Sequence, residues 1–197
     1  MSAPNRIPIN DLPASGPVGA AAGATILIAE VSGGSQTAHR EQERPVKTIL
    51  KRHTRIFLNI WPPFLGAGIR VKRLASDWKE IDVEMRLRWW NANYVGTYYG
   101  GSLYSIADPF FMVMLIENLG KDYIVWDKAA SIRFKKPGRG KVSASFRLSD
   151  EQILEIKQAL GSQRKIERVF TVEVKDESGV VIAQVEKLLH VRKKDPA

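Results

Sequence analysis

The chain has 197 residues, of which 44% are hydrophobic, so it is long and apolar enough to build the core of one ordinary domain. Its formal net charge of +9 favours anionic partners, but it does not choose among a phosphorylated small molecule, nucleic acid and an acidic membrane surface. The absence of cysteine excludes disulfides and thiol nucleophiles and is consistent with a reducing, cytoplasmic location. The three histidines are far apart in the sequence, so we expect no metal site.

Residues 1–43 are rich in glycine, alanine, proline and serine, and this composition predicts a flexible N-terminal arm. The apolar run at 18–31 is too short to span a bilayer comfortably, and only Arg6 supplies the basic start that a secretion signal needs. An organelle-targeting peptide and a partner-binding arm stay open as alternatives. The remaining residues, 44–197, are predicted to form one domain.

An N-terminal helix is predicted after Pro45, ending at Pro62-Pro63. Its apolar stripe consists of Val46, Ile49, Leu50, His53, Phe57 and Ile60 or Trp61. Basic residues occupy the opposite side, so the helix could touch a membrane. We expect instead that it packs the apolar stripe on the domain, because amphipathic helices more often do so.

Alternating apolar and polar residues predict six strands around one long apolar helix, which runs from about 103 to 119. The strands are expected near 69–71, 81–88, 130–134, 142–148, 165–175 and 180–192. A short helix follows Ser149, a plausible N-cap, and stops at Gly161. One helix cannot cover both faces of such a sheet, so a curved sheet must wrap around it in an α+β architecture whose exposed edges favour dimerisation.

The residues from Asn93 to Asp108 contain the features from which an active site could be built. The only charge between Leu103 and Ile116 is Asp108, and a carboxylate in an apolar helix is costly unless it is solvated or used. Gly100-Gly101 at the start of this helix would offer backbone N–H groups to a carbonyl. The alternative for Asp108 is that it caps a helix beginning at Pro109. Asn93 could be an ordinary turn residue, and the two glycines could serve close packing.

This stretch, together with 131–140, resembles the hotdog-fold acyl-CoA thioesterases, and the resemblance covers about residues 45–192. The matching pattern is that of the phenylacetyl-CoA-type branch, which reads Asn, three residues ending in Gly, Thr, any residue, His-Gly-Gly and a later Asp. The positions that match are Asn93, Gly96, Thr97, Gly100, Gly101 and Asp108. The wider stretch from 61 to 138 is similar to an uncharacterised subgroup described as tetrameric acyl-CoA thioesterases.

The resemblance implies a hotdog fold with an extra N-terminal helix and an enzyme that hydrolyses acyl-CoA thioesters. Asp108 would be the nucleophile or the general base, and the N–H groups of Gly101 and Gly100 would stabilise the oxyanion. Asn93 would orient the water or the thioester from a partner subunit, since the site of this family lies at a dimer interface. A homotetramer of such dimers is expected, with no cofactor besides the CoA of the substrate, no nucleic acid and no stable membrane insertion.

Two residues depart from the expected pattern. Tyr99 occupies the position of the histidine; its hydroxyl can donate a hydrogen bond, but the side chain cannot become an imidazolium. Pro109 would kink the long helix and re-aim Asp108.

A basic group, Arg133, Lys136 and Arg139, would contact the CoA phosphates in the hotdog dimer, or it is a solvated strand end. The main alternative to catalysis is an acyl-CoA sensor or scaffold without turnover. A nucleic-acid-binding protein lacks any supporting motif, and a hotdog dehydratase would need a histidine that the segment from 93 to 108 does not contain.

Overall fold

The computed structural model describes residues 54–195, and the predicted arm and the first turns of the predicted N-terminal helix lie outside the described residues. The described helices are α1 (residues 54–60), α2 (Pro62–Ala67), α3 (Gly100–Ser105), α4 (Phe110–Leu119) and α5 (Asp150–Ser162). The strands are β1 (Ile69–Leu74), β2 (Glu80–Arg86), β3 (Tyr123–Phe134), β4 (Lys141–Arg147), β5 (Lys165–Asp176) and β6 (Val181–Lys193).

All six strands form one antiparallel sheet in the order β1-β2-β4-β5-β6-β3. Successive side chains of a strand point to opposite faces, so Ile81, Val83 and Met85 of β2 are buried together on one face. The six strands predicted from alternation are confirmed. Strands β1 and β3 form the two edges of the sheet.

Strand β3 starts earlier than its sequence pattern predicts. It begins at Tyr123, whereas regular alternation is visible only from Ala130. Residues 126–129 are exposed, and a bulge between Asp127 and Ala129 shifts the register against β6. Residues 126–129 neither alternate regularly nor are buried, so alternation does not mark the beginning of β3, although Tyr123-Ile124-Val125-Trp126 consists of residues that favour strands.

The apolar helical segment packs on the buried face of the sheet. The buried residues of α4 are Phe110, Phe111, Met114, Leu115 and Leu119. The ring of Phe111 contacts those of Phe146 and Phe170, at centroid distances of 5.1 and 4.9 Å, and so joins the helix to β4 and β5. The predicted α+β architecture is confirmed. Within residues 54–195, no helix combines the length and the apolar character needed to cross a membrane.

The helical segment is divided into two helices, whereas the apolar pattern predicts one. Helix α3 ends at Ser105 and α4 begins at Phe110, with Asp108 and Pro109 between them; their peptide bond is cis. Proline has no N–H to donate to the preceding turn, which accounts for an interruption at this point. Asp108 is thereby placed in a break between two helices and not within a continuous one.

The described part of helix α1 does not bury its members of the predicted apolar stripe. Phe57 and Ile60 are exposed, the latter by 60%, while Thr54 is buried and Asn59 is half-buried. The helix ends before Pro62 as predicted, but α2 follows at once because proline is tolerated in the first turn of a helix.

The orientation of α1 has a polar cause. The Asn59 side chain donates to the Val71 carbonyl at 3.2 Å and accepts from the Val71 N–H at 2.7 Å. Arg55 donates to the Lys72 carbonyl at 3.1 Å. These contacts satisfy backbone groups on the free edge of β1, which would otherwise lack partners. Turning Asn59 toward the sheet turns Phe57 and Ile60 away from it.

Candidate active site

The loop at 93–97 is closed by the side chain of Asn93. Its amide nitrogen donates to Thr97 Oγ1 at 2.7 Å and to the Tyr98 carbonyl at 3.2 Å. Its Oδ1 accepts from the N–H groups of Val95 and Thr97, at 3.1 and 3.0 Å. Asn93 therefore shapes a turn, which is one of the two roles that its sequence position left open. A contact with water or substrate stays a prediction.

Tyr98 fastens this loop to the sheet. Its buried hydroxyl lies 2.8 Å from the Met85 carbonyl and 2.9 Å from the Gly140 carbonyl. Burial strongly raises the pKa of the Tyr98 hydroxyl, so it is a neutral donor at physiological pH. Close packing also requires a glycine at 138, since a Cβ there would stand 2.8 Å from Ile182 Cγ2. The loop is therefore held rigidly in front of α3.

Helix α3 begins at Gly100, as predicted, with Tyr99 at its N-cap. A Cβ on Gly100 would lie 2.9 Å from Phe134 Cζ, and one on Gly101 would lie 2.5 Å from Tyr99 Cε1. Within the described chain, no backbone hydrogen bond uses the N–H of Gly100 or Gly101. The sequence therefore needs both glycines because two aromatic rings approach the backbone, and the N–H groups stay available beside them.

Asp108 lies in the break after α3, with its side chain 41% exposed. Its Oδ1 accepts a hydrogen bond from Lys187 Nζ and lies 3.5 Å from the Tyr104 hydroxyl. It does not cap α4, because Pro109 holds the N-cap position and no side-chain cap bond is formed. The structure thus excludes the capping role and leaves the Asp108 carboxylate bound to a cation.

Lys187 was not identified from the sequence. It lies on β6 on the same face as Val185 and Leu189, and its side chain is only 2% exposed. Its ammonium contacts Asp108, lies 3.2 Å from Asp127 Oδ2 and donates to the Tyr104 hydroxyl at 3.1 Å. We call these four side chains, Lys187, Asp108, Asp127 and Tyr104, the lysine cluster. A lysine at a buried position of an alternating strand was the available signal, since lysine is almost never fully buried unless it is paired.

The two carboxyl groups of the lysine cluster keep the Lys187 ammonium charged. Burial alone would lower the pKa of the Lys187 ammonium, but the hydrogen bond and charge of Asp108 and the charge of Asp127 outweigh it and raise that pKa. Burial raises the pKa of Asp127, while the Lys187 charge opposes this effect. Burial also raises the pKa of the Tyr104 hydroxyl. The cluster is therefore a permanent cation flanked by two carboxyl groups and a neutral phenol.

The predicted phosphate-binding residues lie at and beyond the end of β3. Arg139 donates to the Gly96 carbonyl at 3.1 Å and so joins its loop to the loop of Asn93. Arg133 and Lys136 are exposed, and neither forms an ion pair within the described residues 54–195. The same described residues contain no group of three or more side chains able to hold a metal ion.

Several solved structures share this architecture. A protein of unknown function from Pseudomonas aeruginosa, described as a probable thioesterase, has 24% identity and a TM-score of 0.63, over 75% of this chain and 96% of that one. A thioesterase from Haemophilus influenzae has 15% identity and a TM-score of 0.52, over 69% and 86%. The PaaI protein of the phenylacetic acid degradation operon of E. coli has 19% identity and a TM-score of 0.50, over 73% and 97%.

At these identities the likeness establishes the fold, and the predicted hotdog fold is confirmed. Comparison with curated proteins gave no match. A family model described as "Domain of unknown function (DUF4442)" matches residues 50–191. The chain therefore belongs to the DUF4442 family.

Proposed function

We propose that the protein hydrolyses the thioester of a fatty or other acyl-CoA, with Asp108 as its base or nucleophile. The observation that carries the proposal is the Asp108 carboxylate, which lies in a break between two helices and is bound by the buried Lys187 ammonium. A carboxylate that is oriented by a fixed cation but still reaches solvent can meet a substrate without losing its position. The shared fold with thioesterases supports the same conclusion.

In the proposed reaction, Asp108 takes a proton from water, and the water oxygen attacks the carbonyl carbon of the thioester. The carbonyl oxygen becomes an oxyanion that accepts hydrogen bonds from the N–H groups of Gly101 and Gly100. The oxyanion then re-forms the carbonyl as the carbon–sulfur bond breaks, and the proton held by Asp108 passes to the leaving sulfur, so that the acid and the free CoA thiol are released. If Asp108 attacks directly, its oxygen displaces the CoA thiolate to give a mixed anhydride; water cleaves this anhydride to the acid and the Asp108 carboxylate, and the proton released goes to the thiolate. Tyr99, whose ring contacts the Gly101 position, is the candidate donor that replaces the expected histidine.

The length of α3 supports a site shared by two subunits. Gly101 lies in the first turn of this helix and Asp108 follows its end, so the two lie at opposite ends of α3, and residues 101–105 alone span about 6 Å at 1.5 Å per residue. One thioester carbonyl must lie within about 3 Å of both its oxyanion donors and its nucleophile. The donors of one subunit would therefore act with the carboxylate of another, as the resemblance implies.

Strand β3 is the edge through which such a dimer would form. Within the described residues β3 pairs in the sheet only with β6, so the other side of this twelve-residue strand is an edge of the sheet, beside the exposed ring of Trp126. The strand touches both parts of the proposed site, since Phe134 contacts the Gly100 position and Asp127 belongs to the lysine cluster. Antiparallel pairing of two copies of β3 would bring the Phe134 end of one subunit toward the Asp127 end of the other. A homotetramer would combine two such dimers.

The CoA part of the substrate would extend toward the basic residues beyond β3. Arg139 uses one of its donors on the Gly96 carbonyl and keeps others for phosphate. Arg133 and Lys136 are exposed at the same end of the strand. Charge-assisted hydrogen bonds from these three side chains to the CoA phosphates would orient the thioester without any resident cofactor.

The experiment is thiol release from short-, medium- and long-chain acyl-CoAs and phenylacetyl-CoA, comparing the natural protein with Asp108→Asn. We expect turnover in the natural protein and a loss of about 100-fold or more in the variant, the usual contribution of a positioned acid–base group. Asp122→Asn, which changes an exposed carboxylate ahead of β3, is the control that should keep full activity. Unchanged turnover in Asp108→Asn would refute the role of this residue.

A second candidate function is acyl-CoA binding without turnover, as in a sensor or scaffold. The observation that favours it is Tyr99, a phenol where an imidazole is expected, packed against the first turn of α3. This alternative predicts saturable binding of acyl-CoA with no thiol release by the natural protein. Restored turnover in Tyr99→His would then locate the loss of activity at this residue.

A further inference from the structure

A surface formed by α1 and α2 exposes an unusual number of large apolar side chains. They are Ile56, Phe57, Ile60, Trp61 and Leu65, and the exposed Trp89 and Trp90 follow β2. Ile56 and Ile60 are four residues apart on one side of α1, and so are Trp61 and Leu65 along α2. Single exposed apolar residues are ordinary, but a group of this size on neighbouring elements is typical of an interaction surface.

This apolar group borders a basic groove on the outer side of β1 and β2. The open groove has a volume of about 770 Å³ and includes Ile60, Leu65 and Trp90 among its lining residues. Its basic side chains are Arg55, Arg70, Lys72, Arg86 and Arg88. The groove is therefore lined by both basic and apolar side chains. We call the apolar residues and the groove together the α1–α2 surface.

The positive charge of the α1–α2 surface is largely uncompensated. Glu84 is the acidic residue among those that line the groove, and it forms an ion pair with Lys72 at 3.6 Å. Among residues 54–195, Arg70, Arg86 and Arg88 form no ion pair. Unpaired arginines next to exposed aliphatic groups present both features that an anionic amphiphilic surface requires.

We infer that the α1–α2 surface binds peripherally to bilayers that contain anionic phospholipids. Ile60 and Leu65, which are 60% and 57% exposed, would enter the headgroup layer, with the tryptophans at its boundary. The unpaired arginines would contact lipid phosphates. This inference is independent of thioester hydrolysis and would hold for a protein that only binds acyl-CoA.

Charge complementarity separates this partner from the other candidates. An isologous contact between two copies would face five basic residues with the same five, which is repulsive. The chain's own residues 1–53 contain six lysines and arginines against four acidic residues, so they do not complement the surface either. A nucleic acid would match the arginines but would leave the aliphatic side chains of Ile56, Ile60 and Leu65 without a role.

The test is co-sedimentation of the full chain with vesicles of phosphatidylcholine alone or mixed with phosphatidylglycerol. We expect binding only to the anionic vesicles, and weakening as salt is added. Ile60→Ser/Leu65→Ser and Arg70→Glu/Arg88→Glu should each weaken binding by about tenfold or more. Leu154→Ser and Lys157→Glu, which change exposed residues of α5, are matched controls that should bind normally.

Four results would overturn the inference. The first is that the natural chain does not sediment with anionic vesicles, and the second is that the α5 controls lose as much binding as the α1–α2 variants. The third is that short duplex DNA binds through the arginines while Ile60→Ser/Leu65→Ser binds DNA like the natural chain, which would make the surface a nucleic-acid site. The fourth is that Ile60→Ser/Leu65→Ser changes the oligomeric state in sedimentation velocity, which would make the α1–α2 surface a contact between copies.

Discussion

Replacement of Lys187 by methionine would test whether the lysine cluster holds Asp108 in place. Methionine keeps much of the buried alkyl chain among its neighbours on β6 but removes the charge. Asp108 and Asp127 would then face each other without the cation that now contacts both of them. The perturbation is therefore mainly electrostatic.

The magnitude follows from the burial of the three groups. Removing one partner of a fully buried ion pair costs about 3–5 kcal/mol. Here the lysine is 2% exposed, but the side chains of Asp108 and Asp127 are 41% and 26% exposed, so water relieves part of the loss. We expect a decrease in the free energy of unfolding of about 2 kcal/mol at pH 7, which corresponds to about 4–8 °C in Tm.

The pH dependence distinguishes charge from packing. In the natural protein, the Lys187 charge opposes the effect of burial on the pKa of Asp127. Without the Lys187 charge, burial and the Asp108 charge act alone and raise the pKa of Asp127 further above its ordinary value of 3.8. A carboxyl group with a raised pKa binds more protons in the folded state than in the unfolded state, so it adds stability as the pH falls. The difference in the free energy of unfolding between the natural protein and the variant should therefore shrink from pH 7 to pH 4.

The assay is chemical denaturation of Lys187→Met and the natural protein at both pH values, together with thiol release. Lys128→Met, the same change at a half-exposed lysine of β3, is the control and should hardly alter the midpoint. In a further denaturation series above pH 10.5, the natural protein should lose stability as the pH rises through the raised pKa of Lys187, and the variant should lose less. A deficit of equal size at pH 4 and pH 7 would refute the electrostatic reasoning and leave only a packing defect.

Two further changes test the loops around the site. Gly138→Ala should lower the free energy of unfolding by about 1–3 kcal/mol in denaturant titrations, because its Cβ would stand 2.8 Å from Ile182 Cγ2. Gly161→Ala in α5, where a Cβ meets nothing within 4 Å, is its control and should be neutral or stabilising. Asn93→Ala removes the four hydrogen bonds that close the 93–97 loop, so thiol release should fall together with the thermal midpoint; full activity would contradict the positioning role.

Local patterns predicted most of the fold. Alternation located five strands closely, because one face of each is buried and the other is polar. Ser149 caps α5 in a reciprocal pair with Gln152, as its position predicts. The predicted stop at Gly161 is wrong: the helix was expected to end at about Leu160 but continues through Gly161 to Ser162, because a glycine in open space near the end of a helix costs little. The early part of β3 was missed because residues 126–129 are exposed at the sheet edge and a bulge there interrupts the alternation.

Contacts between distant parts of the chain could not be predicted in the same way. Lys187 meets Asp108 across 79 positions and Asp127 from a neighbouring strand, so no local pattern contains this cluster. The side of α1 that faces the domain was predicted wrongly for a similar reason. Its apolar periodicity identified a stripe, but Asn59 turns the helix by binding the backbone of β1, twelve residues away.

The same long-range contacts connect assembly to chemistry in the proposed enzyme. Strand β3 supplies Asp127 to the lysine cluster and Phe134 to the start of α3, and it is also the edge of the sheet at which we propose that a second subunit pairs. A partner that pairs with this edge would hold both ends of β3 in place and exclude water from the carboxylates beside Lys187. Lower dielectric strengthens the interaction between that ammonium and Asp108, so the carboxylate would be positioned most firmly in the dimer. The exposed edge of the sheet and the buried lysine are therefore parts of one arrangement.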